Sequence, residues 1–110
     1  MSLEEYFSTG DERERAIFEA VYAHVRTLGP VQVEPVSVGI FIKRSGSYLE
    51  LRPKTKWVAL SFGLDRTVTD ERIARKVVPG GTRWHFVNLR GPEDVDDVVK
   101  GWLTEAYLLK

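Results

Sequence analysis

Residues 36–64 read VSVGIFIKRSGSYLELRPKTKWVALSFGL, and apolar and polar residues alternate along them in three runs, each broken by a turn. A period of two puts successive side chains on opposite faces of a strand. In the first run Val38, Ile40 and Ile42 share one face, and Gly39, Phe41 and Lys43 the other. Arg44-Ser45-Gly46-Ser47 is turn chemistry, with Gly46 free to take positive φ. In the second run Leu49 and Leu51 oppose Tyr48, Glu50 and Arg52, and Pro53-Lys54-Thr55-Lys56 makes the next turn. In the third, Val58, Leu60, Phe62 and Leu64 alternate with Trp57, Ala59, Ser61 and Gly63. Three consecutive antiparallel strands follow, with one face buried and the other partly wet.

The flanks supply helices to cover that sheet. Ser2 and Glu5 have the spacing of a capping box for a short helix, and Thr9-Gly10-Asp11-Glu12 repeats it for a longer one. Ile17, Phe18, Val21, Val25 and Leu28 recur at helical spacing, with Tyr22 beside them, and Gly29-Pro30 stops the helix. His24, near the edge of that stripe, reads as a surface or capping histidine. Val31 to Glu34 extends into a first short strand, and Pro35 suits a strand start or an edge. Beyond the central run, Asp65–Thr69 is a turn, Thr69–Arg72 a brief helical turn and Ile73–Val78 a short strand ended by Pro79-Gly80-Gly81. Thr82–Arg90 is a stronger strand of undecided facing, because Trp84/Phe86 and His85/Val87/Leu89 are both apolar sets. Gly91-Pro92-Glu93-Asp94 opens a last helix, whose stripe is Val95, Val98, Val99, Trp102, Leu103 and Ala106. Tyr107 and the terminal leucines are expected against the first helices. The fold class is α+β: two N-terminal helices, an antiparallel sheet of four to six strands, one C-terminal helix, and the helices packed on one sheet face.

A chain of 110 residues is expected to form one domain, 1–110, with enough core to stand without staples. It has no cysteine, which excludes disulfides and thiolate metal sites. No apolar run approaches the ~20 residues of a membrane span, and MSLEEYFS lacks the basic and apolar regions of a signal peptide. A cytoplasmic location is the expectation. The net charge is zero but unevenly spread. Residues 1–34 hold seven acids and three bases, residues 35–90 eleven bases and four acids, and residues 91–110 five acids and two bases. The sheet is therefore basic and the helices acidic. A basic face suits an anionic partner, and bases at edges and turns also discourage stray strand pairing.

The order SLEEYF (2–7), LGPVQVEP (28–35), GIFIK (39–43), a hairpin-rich middle and GPEDVDDVVKGWLTEAY (91–107) resembles the DUF5655 family, a bacterial domain of unknown function. The resemblance covers nearly the whole chain, and the closing acidic helix ending in Ala106-Tyr107 is its most distinctive part. The family occurs alone and appended to larger proteins, some with nuclease-like domains, which implies work near nucleic acid. It brings no catalytic residues with it.

The residues themselves carry no catalytic or cofactor signature. Glu50-Leu51-Arg52 only echoes the Glu-x-Lys of metal-dependent nucleases, with arginine for lysine and no Pro-Asp nearby before it. His24 and His85 lie in different elements, and Asp94, Asp96 and Asp97 fit an acidic helix start better than a metal cluster. Ser45, Ser47 and Ser61 have no partner motif, and Gly80-Gly81 leads to a strand and not to a phosphate-binding helix. What remains is a surface. With the aliphatic faces inward, the opposite face carries Phe41, Lys43, Tyr48, Arg52 and Trp57, with Lys54 and Lys56 on the adjoining turn and Trp84 and Phe86 joining if their strand faces that way. Interleaved rings and bases suit a self-association surface and a symmetric dimer, a pocket for a small ligand, or stacking of nucleic-acid bases. The leading expectation is a non-catalytic binding or self-association module that needs no cofactor, and the rival is a small-ligand-binding protein or an enzyme of unknown type with a pocket on the sheet.

Overall fold

The computed structural model describes residues 2–8, 12–74 and 81–110. Helix α1 (Leu3–Phe7) leads to α2 (Glu12–Val25), then to strands β1 (Gln32–Val36), β2 (Gly39–Lys43), β3 (Ser47–Pro53), β4 (Val58–Leu64) and β5 (Arg83–Leu89). A 3-10 turn (Pro92–Asp94) precedes helix α3 (Asp97–Leu108). Among the described residues the strands form one five-stranded antiparallel sheet in chain order, β1-β2-β3-β4-β5. Each strand pairs with its sequence neighbour, as short hairpin connections favour.

The capping box of α1 is formed: the Glu5 N–H donates to Ser2 Oγ at 3.1 Å and the Ser2 N–H to Glu5 Oε1 at 3.4 Å. The corresponding box at Thr9–Glu12 lies outside the described residues, which omit 9–11. Ile17, Phe18, Val21 and Val25 face the core as their spacing requires. The end of α2 tightens, with the Thr27 N–H on His24 O and the Leu28 N–H on Val25 O, and Gly29 stops it at φ +145°. A Cβ at Gly29 would collide with the Tyr107 hydroxyl, so glycine there serves both the backbone turn and the seating of α3.

One face of the sheet is closed by helices. Ile40, Ile42, Leu49, Leu51, Val58, Leu60, Phe62 and Leu64 are buried on it, as are Val87 and Leu89 of β5. The facing of β5 is thereby decided: His85, Val87 and Leu89 point inward, and Trp84 and Phe86 are only half-buried on the other side. A column of rings runs through the core, His85 stacked on Phe62 (5.5 Å between centroids) and Phe62 on Trp102 of α3 (5.6 Å). Pro35 sits in edge strand β1, where its missing N–H leaves no ladder bond unmade.

Several expectations are corrected. Val38 is 53 % exposed because the β1–β2 turn takes it out of the strand. Pro92–Asp94 does not open the last helix: it is a separate 3-10 turn, and α3 starts after Asp96, whose carboxylate accepts the Val99 N–H at 3.0 Å. That shift turns Val98 outward, 47 % exposed. Leu108 and Leu109 are exposed rather than packed on the first helices, while Tyr107 packs edge-on against Tyr48 of the sheet. At 69–72 a turn forms, fixed by the Ile73 N–H on Asp70 O at 3.0 Å and the Arg72 N–H on Asp70 Oδ1 at 2.9 Å. Of the strand expected at 73–78, Ile73 makes an isolated antiparallel bridge to Val87, and residues 75–80 lie outside the described set.

Candidate functional site: a cleft on the open sheet face

The face away from the helices owes its shape to β4. There Ala59, Ser61 and Gly63 alternate with the large core residues, so the middle of the sheet carries little side chain. Register puts Arg52 and Asn88 on either side of Ala59, and Glu50 and Phe86 on either side of Ser61. Long side chains beside short ones leave a trough. It opens into a cleft of about 600 Å³, with Ala59 and Ser61 at its base, Trp57 and the Lys54–Lys56 turn at one end, and Phe86 and Ala74 at the far wall. A second hollow of about 300 Å³ adjoins it, bordered by Phe41, Trp84 and Ser47. Glu50, Arg52, Ser61 and Phe86 border both. At Gly63 a Cβ would come within 2.6 Å of Thr82 Cγ2 and 3.7 Å of the Trp84 ring, so glycine there lets the aromatic end close down.

The walls are held from behind. The Arg13 guanidinium of α2 donates to Lys56 O at 3.0 Å, and the Lys54 N–H donates to Trp57 O at 2.8 Å, which sets the basic turn. Arg90 lies over the Trp57 ring at 5.4 Å. The far wall depends on the connection after β4, which is tied to the helix side before it reaches the open face. Arg66 makes a paired contact with Glu105 of α3, both bonds 2.8 Å. The Val68 N–H donates to His85 Nε2 at 3.0 Å, and His85 Nδ1 donates to Arg83 O at 2.9 Å. These partners leave His85 neutral with the proton on Nδ1, and burial pushes its pKa below the ordinary value. Arg72 reaches Asp96 at 2.6 Å and lies over Trp102 at 5.4 Å. The chain then passes the edge of β5, where the Ala74 N–H donates to Phe86 O at 2.7 Å.

Of the seven side chains expected on this surface, Arg52, Lys54 and Trp57 line the main cleft, and Phe41, Trp84 and again Arg52 line the smaller hollow. Lys43 lies on the same face but is held in an ion pair with Glu34 of β1. Tyr48 is misplaced: it is fully buried on the helix side. The physical reason is a β-bulge. Ile42 pairs with Leu49 and Lys43 with Ser47, so Tyr48 is the extra residue, and the alternation that put it outward is broken there. Its ring packs against Tyr107 at 5.9 Å, and burial raises its pKa. Arg44 caps the pair, 4.0 Å from the Tyr107 ring and bonded to Tyr107 O at 2.9 Å.

Ala59, Ser61, Ala74 and Asn88 also belong to the cleft; alternation puts Ala59 and Ser61 on the open face, but none of the four has the large side chain by which a sequence marks a site. The run of small residues at 59, 61 and 63 was the available signal. Glu50 and Arg52 pair with one another at 2.6 Å, two residues apart on one strand face. Among the described residues no group of three or more His, Cys, Asp or Glu side chains converges as a metal site would require. His24 sits between helices, its Nε2 2.8 Å from Thr104 Oγ1 of α3. Among the described residues no helix is long and apolar enough to cross a membrane.

These features define an α+β protein with an antiparallel meander, helices on one face and a ligand-sized cleft on the other. The chain belongs to the family described as "Domain of unknown function (DUF5655)", whose model matches residues 3–110. No curated protein and no solved structure matches it.

Proposed function

We propose that the protein is a non-catalytic binding module whose site is the cleft on the open face of the sheet. The observation that carries this reading is the trough along β4, whose main volume of about 600 Å³ falls within the range of small-molecule sites. A flat aromatic face would favour self-association. Here the rings stand around a depression instead, with Trp57 at one end and Phe41 and Trp84 at the other. Two of the cations expected to meet phosphates, Lys43 and Arg52, are neutralised by Glu34 and Glu50, which weakens the case for a polyanion such as single-stranded nucleic acid. The test is amide-resolved NMR with a small aromatic fragment set. Shifts should cluster at Ala59, Ser61, Phe86 and Asn88 and vanish in Ala59→Trp, which fills the trough. Binding that survives this substitution in a folded protein contradicts the reading.

A second reading is supported by the half-buried Phe41, Trp84 and Phe86 at the other end: a symmetric dimer through that end of the same face. Sedimentation at high concentration decides it. A dimer dissociated by Trp84→Ala supports it, and a strict monomer refutes it.

A further inference from the structure

We infer that the cleft takes a small, flat aromatic anion, with its ring on the Ala59–Ser61 base and its charge toward the Lys54–Lys56 turn. This rests on the binding-module reading and adds the chemistry of the occupant.

The charge follows from a balance of partners. Among the described residues the ionic groups lining the cleft are Glu50, Arg52, Lys54 and Lys56. Glu50 and Arg52 neutralise one another. Lys54 and Lys56 are both exposed, and among the described residues neither meets a carboxylate. The turn that presents them is held at Lys56 O by Arg13 and at Lys54 N by Trp57 O, so both ammonium groups extend from a fixed backbone. Arg90, over Trp57, adds a third cation at that end. A ligand gains most by bringing one compact negative group there. Among the described residues a long polyanion would find Arg52 and Lys43, further along the sheet, already engaged.

The flat body follows from the trough. Its base is a methyl and a hydroxymethyl group on adjacent outward positions of one strand, Ala59 and Ser61. Arg52 and Glu50 stand on one side, and Asn88 and Phe86 on the other. A planar ring system fits along such a base with its edges toward the ion pair and the Asn88 amide, and the Trp57 ring lines the end where the charge would sit. Ser61, only 7 % exposed, offers a hydroxyl at the base.

The probes are anilinonaphthalene sulfonate, a flat aromatic anion, its uncharged analogue phenylnaphthylamine, and decanoate, an aliphatic anion of similar length. Fluorescence titration of the full chain should show saturable sulfonate binding that is lost in Ala59→Trp. Lys54→Ala/Lys56→Ala should weaken it about fivefold, as should raising salt from about 50 mM to about 500 mM. The uncharged analogue should bind about fivefold more weakly, and decanoate should fail to displace the sulfonate at matched concentration. Equal affinity for the uncharged analogue, indifference to the lysine change, or displacement by decanoate would overturn the inference. Any of these with loss in Ala59→Trp would leave the cleft as a binding site. Sulfonate binding unchanged in Ala59→Trp would sink both the inference and the reading beneath it.

Discussion

On β4 the two faces of one strand are built in opposite ways. Val58, Leu60, Phe62 and Leu64 point to the helices and are essentially inaccessible, whereas Ala59 and Ser61, between them in sequence, form the base of a cleft. The closed face is filled, with large side chains from β2, β3, β4 and β5. The open face is left unfilled at its centre. A sheet needs only one face to close its core, so bulk on the second can be removed at little cost to folding. The closed face carries the stability of the fold, and the open face is the one to which we assign the proposed site.

The largest effect should come from breaking the closed face. Phe62 stacks between His85 and Trp102, and Phe62→Ala should cost about 3–5 kcal/mol in chemical denaturation. A loss below about 1 kcal/mol would mean that the ring column does not hold the helices. Tyr48 gives a finer cut. Its ring is fully buried and, among the described residues, its hydroxyl has no hydrogen-bond partner, so the ring should stabilise and the hydroxyl should not. Tyr48→Ala should lose about 3 kcal/mol, and Tyr48→Phe should be neutral or stabilising by up to about 1 kcal/mol. A large loss in Tyr48→Phe would reveal an unseen partner for the hydroxyl.

A third prediction concerns the tie between the faces. His85 is neutral in the folded chain with a pKa depressed chiefly by burial; Arg66 and Arg83 push the same way, and Glu105 and the bond to Arg83 O oppose them. The unfolded chain then holds the extra proton, so stability rises with pH between the folded pKa and the unfolded one. It should be fully present above about pH 6.5 and fall as pH drops below that value. Asp70, Asp96 and Glu105 all have lowered pKa values from their hydrogen bonds and contribute a separate loss further into acid. Denaturation followed between pH 8 and pH 5 should slope in the wild type and flatten in His85→Gln. An equal slope in both would show that the imidazole is not the responsible group.

Much of the closed face was legible because alternation alone sorts β2, β3 and β4, and the capping box at Ser2 and Glu5 marked α1 correctly. What escaped has local causes. Tyr48 obeys a bulge and not the alternation, and a bulge leaves no mark in the sequence when the residues around it are ordinary strand formers. Thr82–Arg90 was ambiguous because both of its faces are apolar, and only its pairing with β4 chooses between them. Pro92 reads equally as the first residue of a helix or of a short turn before one. The cleft was half legible. Its rings and bases stood out, but its base is made of what is missing, and that matters only once β3 and β5 are known to flank β4.

The smallest expected change in stability belongs to the most informative substitution. Ala59→Trp alters the open face alone and should change the unfolding free energy by less than about 1 kcal/mol. The direct test of a division between a folding face and a binding face is titration of this variant with anilinonaphthalene sulfonate beside the wild type, with unfolding measured on the same samples. Unchanged stability with saturable binding abolished is the predicted result. Wild-type binding in a fully folded Ala59→Trp chain would contradict it.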